Sequence, residues 1–334
     1  MNCQVVVKTL APAFLFREGL NPTPEIIPRG FDVGLVHTDN IHFDIKKTKT
    51  DLKGLLAKAE DLIQREQRFF SDREISAVVA DIPFLPVAAA GRSGLPVMSV
   101  GNFTWDWIYA AYGEKDPEWI PLIEAIRGYY REGGGLLRLP FHGPMEVFER
   151  IEDIPLVARK SQRNRAELRR ALDLPRDRRI GLVAFSRLDL TKKALMKISS
   201  LSGEFLFLIR EPLDWTAAGF EKVEDRGISF IDLVNVSDFV ITKPGYGIVS
   251  DCLAQNTPMI YCDRGEFPEY AVLVEGIRRF LPACYMPQEV LYSGDWRPYL
   301  DRFSQPSENC ATLIYDGAQV AARRIKECIE KVGK

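Results

Sequence analysis

The sequence predicts an α/β protein of two domains, each built on a parallel sheet with crossover helices. Three observations lead there. Short β-branched apolar runs alternate with helical stretches along the chain, the pattern of strands joined through helices. In the second half several of these runs are apolar at every position, as strands covered on both faces are. At roughly 150 residues per domain, the 334 residues make two.

In the first half, strands are expected at 4–10, 75–80, 96–100 and 136–139. A long helix is expected over 48–70, with shorter ones over 104–112 and 119–130. A segment at 151–160 leads into the second half, so residues 1–160 form one domain and 161–334 the other. A helix over 164–172 ends ahead of Pro175, because the residue before a proline is pushed out of the helical region. Strands follow at 179–185, 205–209, 228–230, 239–242 and 259–261, with helices over 248–254, 268–275 and 315–331. No repeat or low-complexity segment interrupts this order.

Composition excludes several function classes. Hydrophobic residues at 46% and charged residues at 27% are ordinary globular usage, so no disordered or fibrous class applies. The formal net charge of −2 gives no global field toward nucleic acid or membranes. The basic stretch 163–170 is broken by Glu167 and reads as a solvated helix face. No run reaches the ~18 apolar residues of a membrane span, and the N-terminus enters an apolar strand without a cleavage pattern. Cys3, Cys252, Cys262, Cys284, Cys310 and Cys328 form no Cys-x-x-Cys pair, and most sit in apolar surroundings, as free buried thiols do. A reducing, cytoplasmic location is therefore expected. The histidines His37, His42 and His142 form no cluster at zinc spacing, and no Asp-x-Asp occurs, so neither a metal nor another cofactor is expected.

The segment 239–254 carries the sharpest chemistry. It reads strand, glycine turn, helix. In open parallel sheets, ligands bind beyond the C-terminal ends of the strands. Gly245 and Gly247 let the backbone approach a ligand closely, and the following helix offers free N–H groups and a partial positive end to a phosphate. Such a turn holds a diphosphate without a metal. Ser250 and Asp251, one turn further, are candidates for a phosphate or a ribose, although Gly-x-Gly alone also fits a plain strand-to-helix connection. A second loop, 261–270, offers Asp263, Glu266 and Glu269 to hydroxyl groups and Arg264 to a phosphate. The same acids are equally at home near a helix start. At the first strand end of the second half, Ser186 and Arg187 are phosphate candidates, or Ser186 a helix cap. In the first half, Asp81 and Asp106 follow apolar strands and are candidates for a general base, with Asp106 equally placed to stabilise a helix start. Asn102, Trp105 and His142 are candidates for the acceptor side, with core packing the alternative for the aromatics.

Several segments together carry a resemblance. Gly101-Asn-Phe-Thr-Trp-Asp-Trp-Ile-Tyr109, Leu137-Arg-Leu-Pro140, Asp153-Ile-Pro-Leu-Val157, Lys243-Pro-Gly-Tyr-Gly-Ile-Val-Ser250 and Trp296-Arg-Pro-Tyr-Leu300 occur in that order. In this the chain resembles the glycosyltransferase-like N-terminal region of plant L-arabinokinases and its free-standing bacterial relatives. More distantly, the C-terminal half is similar to MurG-type glycosyltransferases. The resemblance implies a glycosyltransferase-B architecture, two Rossmann-like domains facing across a cleft, with the donor on the C-terminal domain and the acceptor on the N-terminal one. It places Lys243, Gly245, Tyr246 and Gly247 on the donor side. It also suggests that the last helix crosses back onto the first domain. The kinase portion of the plant proteins has no counterpart in these residues, so the resemblance implies no sugar kinase activity.

One departure bears on the N-terminal domain. Relatives begin with a further strand and a Gly/His-rich turn ahead of the strand matching 4–10. Three explanations stay open: the start lies upstream, 4–10 replaces that strand, or the domain is degenerate. The expected activity is metal-independent transfer of a sugar from a nucleoside-diphospho-sugar, a UDP-sugar, to an acceptor, with no nucleic-acid partner. The alternatives are a catalytically inactive nucleotide-sugar-binding protein and a UDP-sugar epimerase of the same fold.

Overall fold

The computed structural model describes residues 4–12, 16, 23–39, 41–224, 227–303 and 313–332. Cys3 and Cys310 lie outside the described residues.

The first half contains β1 (Val6–Thr9), β2 (Glu25–Pro28), α1 (Ile45–Leu56), α2 (Ala59–Asp72), β3 (Val78–Ala80), α3 (Phe84–Arg92), β4 (Val97–Gly101), α4 (Trp105–Gly113), α5 (Ile120–Arg131), β5 (Gly135–Arg138) and β6 (Ile151–Asp153). Strands β3-β4-β5-β6 form a parallel sheet in that order. Helices α3, α4 and α5 bury their apolar faces against it. Phe84, Ile108, Tyr109, Ile126 and Tyr130 are fully enclosed in that core. The helix expected over 48–70 is two helices. Lys58 breaks the run at φ −106° and ψ 4°, and Glu60 and Asp61 then stand in the first turn of α2, where acids favour a helix start.

Strand β1 pairs in parallel with β2 in a separate two-stranded sheet. Among the described residues, β1 has no pairing with β3. Segment 4–10 therefore does not take the place beside β3. Three exposed aliphatics belong to the strands on either side of this break: Val5 and Leu10 flank β1, and Val79 lies in β3. What secures β1 is α2, where the Lys8 ammonium meets the buried Glu66 carboxylate at 2.5 Å and lies over the Phe69 ring.

The second half contains α6 (Arg165–Ala171), β7 (Arg179–Ala184), α7 (Lys192–Ser199), β8 (Phe205–Ile209), β9 (Phe220–Lys222), α8 (Phe230–Val236), β10 (Phe239–Thr242), α9 (Tyr246–Gln255), β11 (Met259–Tyr261), α10 (Glu269–Phe280), β12 (Ala283–Tyr285), α11 (Gln288–Ser293), α12 (Arg297–Leu300) and α13 (Gly317–Val332). Its sheet runs β12-β11-β10-β7-β8-β9, all parallel. Strands β8, β10 and β11 are buried at every position, as expected of continuous apolar runs between two helical layers. The strand expected at 228–230 is corrected. Ser229 caps α8 in a reciprocal capping box with Asp232, and Phe230 opens the helix.

Helix α13 returns to the first half. Val320 and Ala321 cover Leu137, Leu139 and Ile154 on one face of its sheet, and Arg324 pairs with Glu152 at 2.7 Å. The connection between the two sheets runs from Asp153 to Arg165, and residue 160 falls within it. Arg159 in this connection pairs with the buried Asp251 of α9. Among the described residues, no helix is long and apolar enough to cross a membrane.

Candidate donor site at the sheet switch point

Strand β7 is the first of its sheet, and the chain builds outward from it in both directions. The C-terminal ends of β7 and β10 therefore form the switch point where helices leave to opposite faces. A cavity of about 370 Å³ opens there, within the range of small-molecule sites. Ala184, Phe185 and Ser186 reach it from the end of β7, and Thr242, Lys243 and Gly245 from the end of β10. The Thr242 hydroxyl donates to the Ala184 carbonyl at 2.7 Å and ties these two strand ends together.

Gly245 is the N-cap of α9, and no side chain caps the helix. Its first N–H groups are therefore left for an acceptor that is not part of the helix. Lys243 stands before the turn. Burial lowers its pKa, and the neighbouring Arg264 lowers it further. Arg264 comes from the loop after β11. Its guanidinium lies 4.2 Å from the centre of the Phe267 ring, and a Cβ at Gly245 would be 3.8 Å from its Nη1. Two cations and an uncapped helix start converge here, the electrostatics of an anion site. Gly247 is exposed in the first turn of α9, with open space where a side chain would stand.

The other donor-side candidates find their partners away from the cavity. Ser250 is buried and donates to the Gly247 carbonyl at 2.9 Å, so its hydroxyl serves the helix. Asp251 is 1% exposed and held by Arg159, on the side of α9 that meets the interdomain connection. Arg187 turns to Asp189 at 2.6 Å on the surface. Glu266 pairs with Lys115 in solvent. Glu269 is 2% exposed and points across the interface rather than into the cavity. Asp263 accepts from the Tyr285 hydroxyl at 2.8 Å.

The far wall of the cavity was not foreseen. Arg210, Glu211 and Pro212 follow β8, and Phe230 opens α8. Arg210 donates to the Ile228 carbonyl at 3.1 Å, which fixes its guanidinium beside the cavity. The signal for 210–212 was present, since they directly follow an apolar strand, as 243–245 do. Phe230 was hidden by the strand expected at 228–230.

From the first half, the antiparallel bridge between His37 and Phe43 lies against the loop after β11, where the Phe43 and Phe267 ring centres are 6.0 Å apart. The Asp39 carboxylate accepts from the backbone N–H groups of His42 and Ile41, which hold its pKa down to about 2 and shape the turn. The His37 ring meets that of Phe43 at a tilt of 52°, with 4.7 Å between ring centres. Burial lowers its pKa, with Lys243 and Arg264 adding to the effect, so it faces the cationic turn as a neutral imidazole. Sequence reasoning missed this residue.

Asp81 directly follows β3 and keeps part of its surface open to solvent. Burial raises its pKa, and Asp32 raises it further. The Asp81 carboxylate also acts on the Tyr246 phenol, whose pKa is raised by burial first, then by Glu269 and Asp81. Asp106 is 6% exposed on α4 and receives the Arg127 guanidinium at 3.0 Å, a structural tie between α4 and α5. Trp105 is a core residue stacked on Tyr109, with its indole N–H donating to Asp32 at 3.1 Å. His142 lies 2.8 Å from the Gly143 carbonyl through Nδ1 and is half-buried. Asn102 is 4% exposed and donates to Glu269.

No family model matches the chain. In sequence it is similar to L-arabinokinase of Arabidopsis thaliana, 26% identical over 329 residues, which is 97% of this chain and 31% of that protein. The chain thus spans about a third of the length of the curated relative it matches. In structure it is similar to Arabidopsis thaliana UGT89C1 complexed with UDP, with a TM-score of 0.58, 12% identity, and coverage of 98% of this chain and 93% of that one. It is also similar to the calicheamicin glycosyltransferase CalG4, with a TM-score of 0.57, 13% identity, and coverage of 93% and 83%. The chain therefore has the glycosyltransferase-B fold, two Rossmann-like halves facing across a cleft, and is similar in sequence to part of a plant L-arabinokinase.

Proposed function

We propose that this protein is a glycosyltransferase that moves a sugar from a UDP-sugar to an acceptor hydroxyl without a metal ion. One observation carries the reading. The cavity at the β7–β10 switch point ends on an uncapped helix start flanked by Lys243 and Arg264. That arrangement suits a diphosphate. The fold is shared with a structure holding UDP, which supports uridine as the nucleoside.

In the proposed reaction the acceptor oxygen attacks the anomeric carbon. The bond from that carbon to the β-phosphate oxygen breaks, and its electron pair leaves with UDP. The acceptor proton passes to Asp81, whose raised pKa favours taking it. Negative charge grows on the departing diphosphate, beside which this reading sets Lys243, Arg264 and the first N–H groups of α9. This is preorganised stabilisation that needs no rearrangement during the reaction. Incubation with a panel of UDP-sugars and candidate sugar, lipid and small-molecule acceptors, followed by mass spectrometry, tests it. Release of UDP coupled to a glycosylated product is expected with at least one pair. UDP binding without transfer or donor hydrolysis would favour the second reading, a nucleotide-sugar-binding protein. The separation of β1 from β3, close to Asp81, is the observation behind that alternative.

A further inference from the structure

The loop that carries Arg264 belongs to the second half in sequence and to the first half in packing. Phe267 is 7% exposed inside the core of the first half, within 6.0 Å of the Phe43 ring centre and 6.1 Å of that of Phe103. The Tyr112 hydroxyl donates to the Glu266 carbonyl at 2.7 Å. Gly265 has φ +64°, and a Cβ there would overlap the Ile41 carbonyl oxygen, so the backbones of the two halves touch. Four residues on, Glu269 uses both carboxylate oxygens. Oε1 accepts from Asn102 Nδ2 at 2.8 Å and Oε2 from Arg264 Nη1 at 2.6 Å.

We propose that Asn102 is a positioning residue: through Glu269 it holds the Arg264 guanidinium at the Gly245 turn, so the acceptor-side half orients the phosphate contact of the donor half. The inference rests on the donor-site reading above. Glu269 cannot rotate to follow Arg264 without giving up Asn102, because each oxygen is committed and the carboxylate is 2% exposed. Asn102 is itself held, with Nδ2 also 3.3 Å from the Phe141 carbonyl. The guanidinium is supported below by the Phe267 ring and at one edge by Glu269, and a Cβ at Gly245 would stand 3.8 Å from its Nη1. A charged hydrogen bond in a poorly solvated site depends steeply on geometry. A residue that fixes that geometry therefore acts on phosphate affinity without touching the nucleotide.

The test is a double-mutant cycle read by calorimetric titration with UDP and with UMP, which differ in the β-phosphate. Wild type is expected to bind UDP more tightly than UMP, and Arg264→Met to remove that preference. Asn102→Ala is expected to weaken UDP by about tenfold while leaving UMP unchanged. In the Arg264→Met background, Asn102→Ala is expected to change UDP affinity by less than about twofold, because its effect runs through Arg264. Asn102→Ser, which keeps a short polar side chain in place, carries the same cycle if alanine fails to fold. Equal weakening of UDP and UMP, or losses that add across the cycle, would overturn the proposal and leave Asn102 as interface packing. A wild type that binds both nucleotides equally would also overturn it while leaving the nucleotide site standing. Binding of neither would remove the donor-site reading itself.

Discussion

Replacing Gly245 by valine separates the needs of the fold from those of the ligand. Gly245 has φ −143° and ψ 151°, an extended conformation that valine adopts readily. A Cβ there meets only Arg264 Nη1, at 3.8 Å, which is ordinary contact. Nothing in the folded chain requires glycine at this position, so the change is expected to alter stability by less than about 1 kcal/mol. The two γ-methyls, however, project where the cavity meets the first N–H groups of α9. Blocking two hydrogen bonds to phosphate, each worth about 1.5–3 kcal/mol, removes roughly 3–6 kcal/mol, or about 10²- to 10⁴-fold in Kd. Calorimetric titration with UDP, alongside thermal unfolding, reads both quantities. Gly247→Ala is the companion change. It adds a methyl in open space within the helix and is expected to stabilise by about 0.4–1 kcal/mol. A valine variant that folds normally and binds UDP as wild type does would refute the placement of the diphosphate. One that loses several kcal/mol of stability would show that glycine serves the fold after all.

Three further outcomes are expected. Asp81→Asn should lower kcat by about 10²- to 10⁴-fold in steady-state assays, while Asp106→Asn, which alters only the tie to Arg127, should leave kcat within about threefold of wild type. Arg159→Met takes the guanidinium from the buried Asp251 carboxylate and leaves it the backbone hydrogen bond of residue 159, at a cost of about 1.5–3 kcal/mol. Burial already raises the Asp251 pKa above 3.8, so the folded state takes up a proton more readily than the unfolded one, and stability falls as pH rises through the folded value. Denaturant titrations should accordingly show a larger deficit near about pH 8 than near about pH 4. Phe267→Ala empties a site in the core of the first half and should cost about 3–5 kcal/mol. If it loosens the two halves from one another, calorimetry should resolve the single transition into two.

The strands that position the site were legible because they are apolar at nearly every position. β8, β10 and β11 lie where those runs lie, and the turn at 243–247 follows directly. Edge strands were not legible. β9 is Phe-Glu-Lys and β12 is Ala-Cys-Tyr, short segments with a half-open face and no continuous apolar signal. The division between α1 and α2 carries no glycine or proline at the break and is marked only by the acids that follow it. Of the residues the local chemistry singled out, Lys243 and Gly245 line the cavity and Arg264 lies beside them. Ser250 and Asp251 turn elsewhere, because helical spacing cannot tell which face of α9 is covered by Arg159 and the connection. Asn102 and Glu269 are 167 residues apart, and each was assigned to its own half. Their hydrogen bond exists only because Phe267 carries the donor loop into the other core, a tertiary fact with no local signature. Asp106 was a fair candidate by position, but Arg127 from the next helix claims it.

The most direct test of the nucleoside-diphosphate site is the thermal midpoint of the purified chain with UDP, GDP, ADP and TDP in turn, each with and without EDTA. A ligand that binds only the folded state raises the midpoint according to its concentration over its Kd, about 2.7 kcal/mol at a hundredfold excess. A shift that is largest for UDP and unchanged by EDTA is the predicted result. No shift with any nucleotide, or one that EDTA abolishes, would contradict a metal-independent UDP site at the Gly245 turn.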